Sequence, residues 1–216
     1  MDGVKINKLV TEKIKGEFLW VEKYRPKTIE ECILPEQTKK TFLEFLNKGE
    51  VPNLLLAGPA GCGKTMAAKA LVNALDRPDF YFNLGATQDP RATLIGNTHF
   101  SKEEGTYFSE ALFVKAIQTP NAVILLDELS RAHPDAWNIL MTVLDAGQRY
   151  LRLDEASSQA TINVADGVTF IATANIGNEY TSTRVMDKAL MDRFTIIEMD
   201  LLSKDEEADL LKYMFP

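Results

Sequence analysis

The chain has 216 residues, a formal net charge of -7 and only two cysteines. Apolar residues make up 45% and charged residues 25%, which is typical of a globular domain and unlike a disordered or fibrous chain. No apolar run approaches the roughly 20 residues of a membrane span, and the charged N-terminus does not resemble a secretory signal. Two cysteines are too few for a disulfide framework or a four-ligand zinc site. We therefore expect a cytoplasmic protein with no membrane partner.

The charge is unevenly distributed along the chain. Residues 1–50 hold ten basic and nine acidic side chains, whereas the remaining residues hold 14 basic and 22 acidic ones. A protein that binds nucleic acid without sequence preference needs a basic surface. The acidic balance beyond residue 50 therefore disfavours DNA as a partner, although a small basic patch inside a ring-shaped assembly would still permit it.

Short apolar runs alternate with amphipathic segments, a pattern typical of βαβ units. Most of the runs are continuously apolar, as expected for parallel strands that helices cover on both faces. We predict a doubly wound α/β domain with a five-stranded parallel sheet. The predicted strands are 53–57, 80–84, 122–126, 168–173 and 195–199, and the predicted helices are 36–47, 64–75, 110–117 and 134–144.

A glycine-rich segment, GPAGCGKT, follows the first predicted strand and opens the helix 64–75, and it matches G-x-x-x-x-G-K-[ST]. Its glycines allow successive backbone N–H groups to surround phosphate oxygens, and the helix N-terminus adds a favourable field. We expect Lys64 to reach the β- and γ-phosphates of a nucleotide and Thr65 to give its hydroxyl to Mg²⁺. A glycine-rich turn that binds nothing is the alternative. The predicted nucleotide-binding residues of this segment are Gly58, Pro59, Ala60, Gly61, Cys62, Gly63, Lys64, Thr65 and Met66.

Two carboxylates, Asp127 and Glu128, directly follow the apolar run 122–126. This order is typical of a buried strand that ends at the carboxyl edge of a sheet, where ligands bind in open α/β folds. We predict that Asp127 holds Mg²⁺ through water, beside Thr65, and that Glu128 polarises the water that attacks the γ-phosphate. An ordinary acidic pair at the end of a strand is the alternative.

Asn175 ends the segment VTFIATAN, which contains the next predicted strand. Its amide is suited to hold a water molecule or the γ-phosphate. An Asn that only forms a turn is the alternative. Because two polar strand ends beside one phosphate form a plausible site, the pattern favours a functional role.

The segments GPAGCGKT, AVILLDE, FIATAN and ALMDRF, in this order, resemble the motifs of AAA+ ATPases. The resemblance covers nearly the whole chain, from about Trp20 to Met199. Within it, WVEKYRPKTIEECILPEQTK is similar to the N-terminal segment of clamp-loader ATPases, whose Tyr-Arg-Pro element lies against adenine. The resemblance therefore implies that Tyr24, Arg25 and Pro26 contact the base.

The middle of the chain resembles a different branch, the MoxR-like and cobaltochelatase-like ATPases, which include dynein-related proteins. The matching pieces are LIGNTHFSKEEGTYFSEALFVKAI, DELSRAHPDAWNILMTVLDAGQRYLRL and STRVMDKALMDRF. In that branch an insertion interrupts the second helix and a β-hairpin precedes the strand that carries the sensor Asn. Residues 91–108 match the insertion and residues 150–166 match the hairpin. Clamp loaders lack both, so we favour the MoxR-like branch.

The resemblance also implies an arginine finger, an arginine that a neighbouring subunit supplies to the transferring phosphoryl group. Such a residue accelerates nucleotide hydrolases by roughly 10³–10⁵. Arg193 in MDRF matches this position, and Arg184 in STRV is the alternative. For either residue, an arginine in a surface salt bridge is the competing interpretation.

The expected organisation has three parts. Residues 1–35 form an N-terminal segment near the adenine site, 36–202 the AAA+ nucleotide-binding domain, and 203–216 the start of a helical lid that is otherwise largely absent. Ser203, with Glu206 three positions later, predicts the N-terminus of the lid helix.

The resemblance implies an ATPase that uses ATP and Mg²⁺ in a homo-oligomeric ring, with a hexamer favoured, to remodel a protein client. Two other functions stay open. One is a DNA-dependent ATPase switch of the clamp-loader kind, and the other is a nucleotide-binding assembly module with little turnover.

Overall fold

Strands and helices alternate through the described part of the chain. The computed structural model describes Pro26 and residues 28–101, 105–153, 161–175 and 185–214. The strands are β1 (Leu54–Gly58), β2 (Asp79–Asn83), β3 (Gly96–Ser101), β4 (Gly105–Glu110), β5 (Val123–Asp127), β6 (Tyr150–Arg152), β7 (Thr161–Asn163), β8 (Thr169–Asn175) and β9 (Thr195–Glu198). The α-helices are α1 (Glu36–Lys48), α2 (Lys64–Leu75), α3 (Pro90–Leu94), α4 (Leu112–Gln118), α5 (Pro134–Leu144), α6 (Lys188–Met191) and α7 (Lys204–Met214), and a 3-10 turn spans Leu129–Arg131.

Five of the strands form one parallel sheet in the order β2–β5–β8–β1–β9, which confirms the predicted fold class. β1 pairs with β8 so that Gly58 lies opposite Asn175, and β5 pairs with β2 so that Asp127 lies opposite Asn83. All strands point the same way, so these four residues lie along one edge. The carboxyl edge of the sheet therefore carries the polar strand ends that the sequence predicts to be functional.

The central strands β1, β5 and β8 are buried on both faces of the sheet, and successive side chains of a strand pack on opposite sides. On β1, Leu54 and Leu56 lie in an apolar cluster with residues of α1 and α2. Leu55 and Ala57 lie in a second cluster with residues of α4 and α5. This double coverage explains why the central strands read as continuous apolar runs, and all five residues of β5 are buried.

Two antiparallel hairpins lie outside the central sheet. In the segment 91–108, β3 pairs with β4, and α3 precedes the pair. In the segment 150–166, β6 pairs with β7 through Tyr150–Arg152 and Thr161–Asn163. The resemblance predicts the first segment only as an inserted loop. In the structure, this segment contains the antiparallel strands β3 and β4.

The ends of the predicted elements agree closely with the structure, with one clear difference. α2 and α5 have the predicted bounds. The helix predicted from Glu110 begins at Leu112, because Glu110 pairs with Gly96 at the end of the β3–β4 hairpin. The start of α7 carries the predicted reciprocal cap, in which the Glu206 carboxylate accepts from the backbone N–H of Ser203 at 2.8 Å. Over the described ranges, no helix is both long enough and apolar enough to cross a bilayer.

Candidate functional site

The loop between β1 and α2 takes a backbone shape that glycine permits. Gly61 and Gly63 have φ values of 85° and 84°, in the left-handed region that other residues rarely adopt. Gly63 is the N-cap of α2, and in this described loop no side chain caps the helix. The first N–H groups of α2 therefore stay open to a ligand at the mouth of the loop.

At Gly58, glycine is needed because there is no space for a side chain. A Cβ atom on Gly58 would lie 1.9 Å from the carbonyl oxygen of Met199, just beyond β9. The first glycine of the motif thus allows β9 to approach the start of the loop, and a larger residue would displace backbone.

Lys64 is buried and points its ammonium group into the loop. It is 7% exposed, and Nζ donates to the carbonyl oxygens of Gly58, at 3.0 Å, and Pro59. The same Nζ lies 3.4 Å from Sγ of Cys62. The loop thus holds one positive charge at the N-terminus of α2, where an anion would bind.

Asp127 is the centre of a network of hydroxyl groups at the carboxyl edge of the sheet. It is 5% exposed, and its Oδ1 accepts from Thr65 at 2.9 Å and from Thr173 at 2.5 Å. Its Oδ2 accepts from the hydroxyl of Tyr81 at 2.8 Å. The Thr65–Asp127 contact joins the loop to β5, as expected if the two residues share a cation.

Tyr81 and Thr173 belong to this network, and motif reasoning did not identify either. Thr173 also accepts from the backbone N–H of Glu128 at 3.0 Å, so it connects both carboxylates. Burial, followed by the hydrogen bond to Asp127 and the charge of Asp127, raises the pKa of Tyr81 to about 12. Tyr81 therefore stays protonated near neutral pH and donates to Asp127.

Glu128 follows β5 directly, and its backbone has a left-handed conformation with φ 59°. Its Oε2 accepts from Arg131 at 3.1 Å. The carboxylate packs against Gly85, where a Cβ atom would lie 2.1 Å from Oε2. Gly85, which motif reasoning also missed, therefore makes the space that the Glu128 side chain occupies.

Asn175 ends β8, and its backbone N–H donates to the hydroxyl of Ser130 at 3.0 Å. This contact ties the end of β8 to the turn after β5. Asn175 and Glu128 thus approach the loop from two neighbouring strand ends.

The phosphate loop, the start of α2 and the ends of β5 and β8 line an open cleft of about 370 Å³, a size found for small-ligand sites. Across the described residues, no group of three or more His, Cys, Asp or Glu side chains could hold a metal ion. Mg²⁺ in nucleotide sites commonly uses one or two carboxylates together with substrate phosphates, so Thr65 and Asp127 fit such a cation. The lining includes Lys64, Thr65, Met66, Glu128, Thr173 and Asn175.

The structure holds Arg193 within its own chain. Its Nε donates to the carbonyl oxygen of Met141 at 2.9 Å, and its guanidinium forms a 3.0 Å ion pair with Asp145. It also donates to the carbonyl oxygen of Ala189. The side chain is 22% exposed. In the single chain, Arg193 therefore forms a salt bridge, which was the competing interpretation of this arginine.

Three other predicted residues lie outside the described part of the chain. They are Tyr24 and Arg25 of the adenine element and Arg184, the alternative finger. Pro26 is half-buried.

A parallel α/β sheet, a phosphate loop between β1 and α2, and an acidic strand end bonded to that loop define the class of P-loop nucleotide-binding domains. Residues 53–194 match the AAA domain of the dynein-related subfamily. This match covers more than half of the chain, so the chain belongs to that family of AAA+ ATPases. Residues 12–80 also match the Rad17 P-loop domain, which agrees with the clamp-loader-like features of the N-terminal region.

Two relatives of different description are similar to this chain. A proposed chaperone, BssE, from Thauera aromatica is 38% identical over 74% of this chain and 54% of its own length. A replication factor C small subunit from Sulfolobus acidocaldarius is 34% identical over 61% of this chain and 39% of its own length. The chain spans about half the length of the curated relatives it matches.

Among solved structures, a RuvB mutant from Thermotoga maritima superposes with a TM-score of 0.59. The two are 20% identical, and the match covers 88% of this chain and 54% of that one. This likeness shows the fold.

Proposed function

We propose that this chain binds ATP with Mg²⁺ and hydrolyses it at the carboxyl edge of the sheet. The observation that carries the proposal is the convergence of Lys64, Thr65, Glu128 and Asn175 on one cleft from three separate elements. Each of these side chains has a chemistry that one part of the reaction requires. Membership of the AAA+ family supports the same function.

The loop and Lys64 would bind the phosphates. Lys64 Nζ now shares its protons with loop carbonyl oxygens, and phosphate oxygens are stronger acceptors for an ammonium group. The open N–H groups at the start of α2 add donors that need no rearrangement. Residues 58–66 are therefore proposed to contact the triphosphate.

Thr65 and Asp127 would hold Mg²⁺, which neutralises charge on the phosphate oxygens when it is bound. Their mutual hydrogen bond of 2.9 Å places the hydroxyl and the carboxylate side by side. The Thr173 hydroxyl steadies the same carboxylate oxygen.

Glu128 would accept the proton of the attacking water, and the Asn175 amide would orient that water or the γ-phosphate. The contact with Arg131 at 3.1 Å limits the positions that the Glu128 carboxylate can take. We assign no chemistry to Arg131.

We further propose that the chain acts in a homo-oligomeric ring, with a hexamer favoured, in which Arg193 reaches the site of a neighbour. Arg193 would then have to exchange its contacts with Met141 and Asp145 for contacts across the interface. Arg184 is the alternative, and Tyr24, Arg25 and Pro26 are proposed to contact adenine.

Mixed assemblies test the finger. An Arg193→Ala chain binds nucleotide but supplies no finger, and a Lys64→Ala chain does the reverse. We expect the mixture to recover a fraction of the wild-type phosphate release. No recovery at any mixing ratio would count against Arg193, and the same experiment with Arg184→Ala then tests the alternative.

The proposed outcome of turnover is the remodelling of a protein client, as in MoxR-like proteins. The similarity to BssE, a proposed chaperone, supports this function. The match to the Rad17 P-loop domain and the similarity to a replication factor C small subunit favour the second candidate, a DNA-dependent switch. A nucleotide-binding module with little turnover is the third.

Phosphate release separates these functions. We expect the purified chain to release phosphate from ATP in the presence of Mg²⁺, with no change when duplex DNA is added. Stimulation by duplex DNA would favour the clamp-loader-like switch. Nucleotide binding without phosphate release would favour the assembly module.

A further inference from the structure

Tyr81 of β2 touches the proposed magnesium site without belonging to a recognised motif. Its hydroxyl donates to Oδ2 of Asp127, while Thr65 and Thr173 donate to Oδ1. Both oxygens of the carboxylate are therefore engaged. Any rotation of the carboxylate about its Cβ–Cγ bond would break at least one of these bonds, so the three hydroxyls fix its plane.

Two features besides the bond to Asp127 place the Tyr81 ring. Tyr81 lies opposite Leu125 in the pairing of β2 with β5, two residues before Asp127. Lys69 of α2 places its Nζ 4.7 Å from the ring centroid, a cation–π distance. The ring and the strand thus place the hydroxyl independently of its bond to Asp127.

Two of the three hydroxyl groups have a further role besides their bond to Asp127. Thr65 is the proposed magnesium ligand, and Thr173 accepts from the backbone N–H of Glu128. The Tyr81 hydroxyl, in contrast, donates to Oδ2 and belongs to a residue that is 44% exposed and is not among the residues that line the cleft. Its removal should therefore affect the orientation of Asp127 while leaving the loop and the fold in place.

We propose that Tyr81 is a positioning residue for Mg²⁺: its hydroxyl holds the Asp127 carboxylate in the orientation in which Asp127 and Thr65 together bind the cation. This inference rests on the proposed function, since it concerns the same nucleotide site. It assigns to β2 a part in cation binding that the loop and the acidic strand end do not supply. Groups that orient metal ligands typically change metal affinity by about 10–100-fold when they are removed.

The test is a Tyr81→Phe variant, which removes the hydroxyl and keeps the ring under Lys69. Tyr107→Phe is the matched control, because Tyr107 is 42% exposed and lies on β4, within the hairpin outside the central sheet. Binding of the fluorescent analogue mant-ATP is measured in EDTA and during a Mg²⁺ titration. Thermal melting of each variant reports on the fold.

In Tyr81→Phe we expect the Mg²⁺ concentration for half-maximal tightening of mant-ATP to rise about 10-fold, with affinity in EDTA unchanged. Tyr107→Phe should match the wild type in both conditions. An unchanged Mg²⁺ midpoint in Tyr81→Phe would overturn the inference. An equal loss of affinity with and without Mg²⁺ would also overturn it, since that result indicates a structural role. If the wild-type chain binds mant-ATP in neither condition, the proposed function fails first, and the inference fails with it.

Discussion

The carboxyl edge of the sheet and the β3–β4 hairpin differ in the burial and hydrogen bonding of their side chains. At the sheet edge, Lys64 and Asp127 are 7% and 5% exposed, and both are held by several hydrogen bonds within the chain. On the hairpin, Phe100 and Tyr107 are 75% and 42% exposed. The chain therefore determines the geometry of the first region itself, whereas the outer surface of the second contributes little to folding.

This contrast predicts where substitutions act. At the sheet edge, a change of a few atoms should alter binding or chemistry, because each polar group has a defined partner. On the hairpin, even removal of an exposed aromatic ring should leave nucleotide chemistry unchanged.

The largest effect is expected at Glu128. Glu128→Gln keeps the shape and a hydrogen-bond acceptor but removes the proton-accepting carboxylate, so phosphate release should fall by about 10²–10⁴. ATP binding, measured by mant-ATP fluorescence, should stay within a few-fold of the wild type, as a rough bound. A variant that turns over at the parental rate would show that Glu128 does not activate the water.

A smaller effect on the rate is expected from Gly85→Ala. The added Cβ would lie 2.1 Å from Oε2 of Glu128, so the carboxylate must move. A displacement of this kind should slow phosphate release by about 10²-fold while ATP binding persists. Gly147→Ala is the control, because a Cβ there meets Asp145 at an ordinary 3.4 Å. Equal rates for the two variants would show that the Gly85 contact does not position Glu128.

The ion pair of Arg193 with Asp145 offers a stability test away from the cleft. Asp145→Ala should lower the free energy of unfolding by about 1 kcal/mol, and hence the Tm by about 2–4 °C, because the pair is largely shielded from water. Asp209→Ala breaks a pair of the same 3.0 Å length whose side chains are 78% and 72% exposed, and should leave the Tm unchanged. If both variants melt at the same temperature, the Arg193 contact does not stabilise the chain.

The smallest effect is expected on the hairpin. Phe100→Ser should leave the free energy of unfolding within about 0.5 kcal/mol of the wild type, because the ring is exposed. Basal phosphate release should also be unchanged. A lower Tm or a slower rate in this variant would contradict the contrast between the two regions.

The sequence was sufficient to predict the sheet, the loop and the acidic strand end, since each depends on residues close together in the chain. Lys64 and Thr65 follow the loop glycines directly, and Asp127 and Glu128 follow an apolar run. Both patterns follow from burial and backbone conformation alone.

The contributions of Tyr81 and Gly85 could not be predicted in this way. Both come from β2 and the loop after it, and they reach Asp127 and Glu128 only because β2 pairs with β5. That pairing is a property of the strand order and register. Once the register is known, Tyr81 lies on the face of the sheet that Asp127 shares, and its long side chain can span the remaining distance.

Arg193 shows a different limit of sequence reasoning. Its position in MDRF indicates a finger by resemblance, but its contacts with Met141 and Asp145 arise from the packing of α6 against α5. Motif position alone carries no information on such contacts within the chain. The finger therefore stays a prediction for the mixed-assembly experiment.

The most direct test of the site is equilibrium binding of mant-ATP to the purified chain in the presence of Mg²⁺, compared with Lys64→Ala. We expect saturable binding by the wild type and a loss of about 100-fold or more in the variant, since Lys64 is the cation of the loop. Saturable binding that is equal in both proteins would contradict the assignment of the phosphate site. Failure of the wild-type chain to bind would contradict the account as a whole.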